Sequence, residues 1–186
     1  MSTQRGMTVA LVLLVFGLLL YLSTQKPPGS GNEGPAPDVT LIFEPEGKQS
    51  ENKLPAGKPL QLASLKKRVV ILDFWATWCG PCKDSIPELE RIYEKYKSKG
   101  LVVVGVSVDD PNSQEQVPRA KQALGITYPI MLATKFPEII KKYGSDAIPT
   151  MYIIDKNGDI RKIQQGLDPK KGLADIDDLV DKLLSE

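Results

Sequence analysis

The 186-residue chain contains no histidine. That absence excludes nucleophile systems built on a Ser–His or Cys–His pair, histidine metal ligands, and the Cys-x-x-Cys-His attachment of haem. Cysteine is scarce, with only Cys79 and Cys82. Two thiolates cannot close a four-ligand zinc site, so neither a metal site nor a bound cofactor is expected. An excess of one charge is also missing. Lys and Arg number 24 against 23 Asp and Glu, and from residue 38 onward the balance is 22 to 22. A neutral body of this kind offers no electrostatic case for nucleic acid or for an anionic lipid surface. The charged content of 25% is ordinary for a folded protein and argues against disorder.

One long apolar run is present, from Met7 to Leu22. As a helix rising about 1.5 Å per residue it is roughly 24 Å long. Gly6 and Ser23 bring it to the lower limit of a membrane span, about 17–25 residues. Arg5 and the amino terminus precede it, which favours a cytoplasmic N-terminus, and Tyr21 falls at the far interface. The competing reading is a cleaved signal peptide. Cleavage needs small residues at −3 and −1, but a cut after Ser23 puts Tyr21 at −3 and a cut after Thr24 puts Leu22 there. The expected organisation is therefore a signal-anchor helix at residues 1–23, a Pro- and Gly-rich tether at 24–37 without packed structure, and one domain at 38–186. Both readings place that domain on the extracytoplasmic (periplasmic) side of the cell membrane.

Within the domain, residues 38–43 alternate weakly and suggest an early strand, with residues 60–62 as a short partner. Residues 69–75 are nearly continuous in apolar, β-branched and aromatic side chains, which marks a central strand covered on both faces; Asp73 is the exception. Cys82, Ile86, Leu89, Ile92, Tyr93 and Tyr96 then recur at spacings of three and four, giving one apolar helical stripe. Pro81 suits the first turn of that helix, Pro87 is expected to kink it, and Gly100 follows its end. A second buried strand is expected at 101–108, stopped by Asp109-Asp110-Pro111-Asn112. Helices are expected at 113–124 and 135–143, a strand at 126–131, a hairpin of strands 150–155 and 160–165 around Asn157-Gly158, and a C-terminal helix over 170–184. Strands alternating with helices and closed by an antiparallel hairpin imply a mixed α/β sheet.

The two cysteines sit where the apolar strand gives way to the helix, in Trp78-Cys79-Gly80-Pro81-Cys82. A thiol at a helix N-terminus faces unpaired N–H groups and the positive end of the helix dipole, which lowers its pKa and supplies a thiolate. Cys79 is therefore the candidate nucleophile. Cys82, one turn on and less exposed, is the candidate resolving thiol. Asp73, a carboxylate in an apolar strand, gains a raised pKa on burial, as a proton carrier needs. A solvent-accessible aspartate at the strand end is the plainer alternative. The Asp109-Asp110 pair reads as a turn that ends its strand.

Residues 73–83, Asp-Phe-Trp-Ala-Thr-Trp-Cys-Gly-Pro-Cys-Lys, together with Ala147-Ile148-Pro149-Thr150, resemble the thioredoxin superfamily from about Val69 to Glu186. The apolar N-terminal run and the long segment from Asp109 to Lys135 are similar to the exported, membrane-tethered thiol–disulfide oxidoreductases of the TlpA/ResA type. Two positions depart from that type: Ser85 stands where such relatives carry an acidic residue, and Asp73 is present as in thioredoxin itself. The resemblance implies a thioredoxin-like fold and a protein-disulfide reductase acting on disulfide-bonded extracytoplasmic proteins, with cytochrome c maturation as one setting. It implies a CcdA/DsbD-like membrane thiol donor as electron source. It places Asp73 beneath Cys82 as a proton acceptor, Trp78, Gly80 and Pro81 at the substrate-binding face, and Ile148-Pro149 as a cis-proline loop facing the disulfide, where the Ile148 backbone pairs with substrate. Trp75 is expected in the core. No cation lies between the cysteines, so the expected potential is on the order of −270 mV, as in thioredoxin, rather than about −120 mV, as in DsbA. A peroxide-reducing enzyme is a second reading, since Thr77 lies two residues before Cys79. A copper carrier of the Sco type is disfavoured by the lack of histidine, and a purely structural module by the thiol pair.

Overall fold

The computed structural model describes residues 34–43, 57–144 and 147–186. The expected membrane segment and the tether as far as residue 33 lie outside the described residues, as do residues 44–56. No helix among the described residues is long and apolar enough to cross a membrane.

The central strand forms where the apolar run predicts it. Strand β3 spans Val69–Trp75, and every residue in it is buried. On one side it pairs in parallel with β4, Leu101–Ser107, and β4 pairs in parallel with β5, Ile130–Leu132. On the other side β3 pairs antiparallel with β6, Thr150–Ile154, which turns through residues 155–159 into β7, Ile160–Gln165. The sheet order is thus β5-β4-β3-β6-β7, mixed as expected. A separate pair, β1 (Thr40–Leu41) and β2 (Leu60–Gln61), runs antiparallel.

Side chains leave a strand alternately to its two faces, so the sheet carries two cores. Val69, Ile71, Trp75, Val103, Met151 and Ile153 face one layer. Helix α1, Gly80–Tyr96, lays its stripe of Cys82, Ile86, Leu89, Ile92, Tyr93 and Tyr96 against it. The C-terminal helix, Ala174–Ser185, packs on the same face through Ile176, Val180 and Leu183. Val70, Leu72, Phe74, Val104, Val106 and Tyr152 face the other layer. There they meet Leu41, Leu62 and Leu65 and the short helix Pro137–Tyr143, which inserts Ile139 and Tyr143. Each fully buried Ile or Leu stabilises by roughly 1.5–3 kcal/mol relative to exposure, so this two-sided burial anchors β3. Among the described residues the α-helices are α1, α2 (Val117–Ala123), α3 (Pro137–Tyr143) and α4 (Ala174–Ser185).

Several boundaries differ from expectation, and proline accounts for most. The helix expected over 113–124 divides into a 3₁₀ turn, Gln114–Gln116, and α2, with Pro118 in the first turn of α2 where no N–H is required. The strand expected over 126–131 pairs only from Ile130, because Pro129 has no N–H to give; its carbonyl instead accepts from Gly105 N at 2.9 Å. The early strand is just two residues long, although Val39, Leu41 and Phe43 alternate into the core as the pattern implied. The end of the expected tether, residues 34–37, is docked rather than free. Ala36 N donates to the Gly158 carbonyl at 2.8 Å, Ile160 N donates to the Gly34 carbonyl at 3.0 Å, and the Tyr143 hydroxyl donates to the Pro37 carbonyl at 2.7 Å. The hairpin turn leaves backbone groups open on its outer side, and this segment supplies their partners.

Candidate active site

The parallel strands β3 and β4 end side by side, with Trp75 opposite Ser107. Residues just past those ends build the site. From Trp75 the chain runs through Ala76, Thr77 and Trp78 to Cys79, which is the N-cap of α1 with extended backbone. The Cys79 Sγ accepts the Cys82 N–H at 3.1 Å. It therefore does at the helix start what a Ser or Asp oxygen usually does. Pro81 sits in the first turn, and the helix continues through Pro87 to Tyr96.

Cys79 and Cys82 are joined as a disulfide, with an S–S distance of 1.98 Å. Both are buried as residues, Cys82 fully and Cys79 to within 4%. The shelf around them is exposed: Gly80 and Pro81 lie at the surface, and Trp78 is 64% exposed. Trp78 is the one exposed large hydrophobic among the described residues. Trp75, by contrast, is fully buried in the core, as anticipated. The Ile148-Pro149 bond is cis, with Ile148 half-buried and Pro149 buried at the head of β6.

Asp73 is fully buried on β3, on the same face as Ile71 and Trp75 and so toward α1. Its neighbours across the sheet are Gly105 on β4 and Met151 on β6. Neither of its oxygens has a hydrogen-bond partner among the described residues. Burial pushes its carboxyl up to about 7, and the nearby Tyr128 hydroxyl pulls it part of the way back. No closed hydrogen bond joins the hydroxyl to the carboxylate, although the two groups act on each other. Burial likewise drives the Tyr128 phenol well above the ordinary tyrosine range, with the negative charges of Asp73 and Glu90 adding to the effect. The solvent-accessible alternative for Asp73 is thereby excluded.

Asp109 is the residue that sequence reasoning undervalued. It is buried, and its carboxylate gathers the loop that carries the cysteines. Thr77 N donates to both of its oxygens at 3.0 and 3.2 Å, Thr77 Oγ1 donates at 2.6 Å and Ser107 Oγ donates at 2.9 Å. Asp110, its neighbour, is exposed and does form the expected turn, accepting from Asn112 N at 2.7 Å and Ser113 N at 3.0 Å. A signal for Asp109 exists once the pairing is known: Thr77 and Asp109 each lie two residues beyond matched strand ends. Gly105 was also overlooked. An isolated glycine within a valine-rich strand marks a close approach, and a Cβ there would lie 3.1 Å from Trp75 Nε1 and 3.2 Å from Tyr128 Cε2. Among the described residues, no group of His, Cys, Asp and Glu side chains is arranged to hold a metal ion.

A strand-to-helix dithiol beside an exposed aromatic shelf, with a buried carboxyl on the sheet face that α1 covers, is equipped for thiol–disulfide exchange. The chain matches the AhpC/TSA family over residues 34–163. It belongs to that family. Among curated relatives, it is 31% identical over 117 residues to the thiol-disulfide oxidoreductase ResA of Geobacillus thermodenitrificans, covering 63% of this chain and 66% of the relative. It is 33% identical over 119 residues to ResA of Bacillus thuringiensis subsp. konkukian, covering 64% and 67%. The chain thus spans about two thirds of the length of these relatives. A crystal structure of a thiol:disulfide interchange protein of the thioredoxin family from Chlorobium tepidum superposes with a TM-score of 0.63 at 30% identity, covering 85% of this chain and 99% of that one. The fold is thioredoxin-like, as the motifs implied.

Proposed function

We propose that the chain is an exported, membrane-tethered thiol–disulfide oxidoreductase that reduces disulfides in extracytoplasmic proteins. The observation that carries this reading is Cys79 at the N-cap of α1, its sulfur accepting the Cys82 N–H. In the reduced protein that same N–H and the helix dipole favour a thiolate at Cys79. The Cys79 thiolate attacks a client disulfide and forms a mixed disulfide, releasing one client thiolate. Asp73 takes the proton of Cys82, whose thiolate attacks Cys79 Sγ. The bond to the client breaks, both client sulfurs leave reduced, and the Cys79–Cys82 disulfide forms with two electrons transferred. Trp78, Gly80, Pro81 and the Ile148-Pro149 loop form the face that receives the client. The disulfide is then reduced again by a CcdA/DsbD-like membrane thiol donor, and the apolar run at residues 7–22 holds the domain beside that donor on the periplasmic side. Apocytochrome c is one client class that fits such a reductase.

The thiol-peroxidase reading is weakened by a specific contact. Thr77, the threonine that would have to serve a peroxide, has both its N–H and its hydroxyl committed to Asp109. The resolving cysteine also lies only three positions from the nucleophile. Replacing Cys82 with serine tests the proposal: the variant accumulates mixed disulfides with extracytoplasmic proteins through Cys79. Absence of any adduct, with peroxide consumed at the expense of thiol, would replace it with the peroxidase reading.

A further inference from the structure

Among the described residues, the buried side-chain polar atoms without a hydrogen-bond partner converge on one place. They are both oxygens of Asp73, Trp75 Nε1 and the Tyr128 hydroxyl. Gly105 explains their convergence: it is the register partner of Asp73 on β4, and its missing side chain admits the Trp75 indole and the Tyr128 ring. The Tyr128 ring is held from outside by Tyr93, edge-on at 5.8 Å between centroids. Thr127, one residue before it, is tied to α1 by Glu90, which accepts the Thr127 N–H at 3.0 Å and the Thr127 hydroxyl. Unpaired buried polar groups are costly, and a cluster of them beside a redox site is best understood as serving a second protonation state.

We infer that Tyr128 is the positioning residue for Asp73: its hydroxyl donates to the carboxylate when that group ionises, and so keeps a fully buried acid usable as a base near neutral pH. The inference rests on the reading of Asp73 as proton acceptor for Cys82. The register position beside Asp73, Gly105, supplies no cation to do this work. The remaining neighbours supply little charge. Helix α1 presents Cys79 and Cys82, with Glu90 acting on Tyr128. Helix α2 presents Lys121, whose Nζ donates to the Tyr128 carbonyl at 3.1 Å and which burial pulls down to about 8. Strands β5 and β6 present Ile130 and Met151, and α4 presents Ile176, Val180 and Leu183, all uncharged. Among the described residues, Tyr128 is thus the one hydroxyl donor that acts on the carboxylate. When Cys82 gives up its proton, the product is a neutral Asp73 carboxylic acid and a Cys82 thiolate; Tyr128 itself stays protonated throughout. Without the hydroxyl, burial alone sets the acid, and less of it is ionised at neutral pH.

The test follows the Asp73 carboxyl carbon by NMR in the oxidised full chain, with the signal assigned by its loss in Asp73→Asn. Tyr128→Phe keeps the ring and its packing and removes only the hydroxyl. Its Asp73 midpoint is expected about one pH unit above that of the wild type, since a hydrogen bond to a charged group is worth about that much. Reduction of insulin disulfides by the reduced chain is then followed across pH. The Phe variant is expected to be about fivefold slower at pH 7 and equal to wild type above about pH 9. The difference disappears when both chains carry Asp73→Asn. An unmoved Asp73 midpoint, or the same slowing in the Asp73→Asn background, overturns the inference. A chain that reduces no disulfide at all sinks the proposed function, while the titration still decides the coupling of Tyr128 to Asp73.

Discussion

Asp109 and Asp110 are adjacent, chemically identical and structurally opposite, so substituting each with alanine isolates what burial and partners are worth. Asp109→Ala removes the acceptor for the Thr77 N–H, the Thr77 hydroxyl and the Ser107 hydroxyl, which lie 2.6 to 3.2 Å from its oxygens. Each hydrogen bond to a charged group contributes about 1.5–3 kcal/mol, but the three share one carboxylate and are not additive, and Ser107 retains the Asp109 N–H as donor. The expected loss is about 3–4 kcal/mol, chiefly from buried donors left without partners. Asp110→Ala removes two turn hydrogen bonds at an exposed site and costs about 1 kcal/mol, as for a lost helix cap. Urea unfolding of the oxidised chain measures both. Because Thr77 leads directly into Trp78 and Cys79, Asp109→Ala also slows disulfide exchange, and Asp110→Ala leaves it unchanged. Equal destabilisation by the two substitutions, or a stable Asp109→Ala with a normal exchange rate, would refute the idea that this carboxylate holds the cysteine loop.

Asp73 titrates at about 7 in the folded chain against about 3.9 when unfolded, so between these values the folded chain holds a proton that the unfolded chain has released. Stability therefore falls as pH rises from about 4 to about 7, by up to about 4 kcal/mol, and Asp73→Asn removes that decline in chemical denaturation across pH. Trp78→Ala, at a side chain 64% exposed, leaves stability within about 0.5 kcal/mol but raises KM for a protein client more than fivefold, by about 1 kcal/mol or more. Gly172→Ala destabilises the chain by about 1–3 kcal/mol in thermal unfolding: φ there is 56°, and a Cβ would lie 2.3 Å from Glu88 Oε2, displacing it from the Leu173 N–H that it holds at 2.8 Å.

The parts of the fold that were legible in the chain are those with long, one-valued patterns. Strand β3 matches its apolar run residue for residue, and every member of the stripe from Cys82 to Tyr96 is buried. Strand β7 and the turn before it follow from Asn157-Gly158, where Asp155 accepts from Asn157 N at 2.9 Å and Asp159 N at 3.0 Å. Elements around Pro118 and Pro129 shifted because proline moves a boundary through one missing N–H, which periodicity does not register. In the site, the dithiol and Asp73 stood out because each breaks an apolar pattern at a defined place. Asp109 did not, because its partner Thr77 is 32 residues away and only the parallel pairing of β3 with β4 brings them together. Tyr128 lies in a short segment without period, and its neighbour Asp73 is reached across two strands through the space that Gly105 leaves.

The direction of electron flow is the centre of this account, and the reduction potential of the Cys79–Cys82 pair decides it. Equilibrated against thiol buffers of defined potential, the chain should be half-oxidised near −270 mV, the range of a reductant recharged by a membrane donor. A value near −120 mV would contradict the account and make the protein a donor of disulfides.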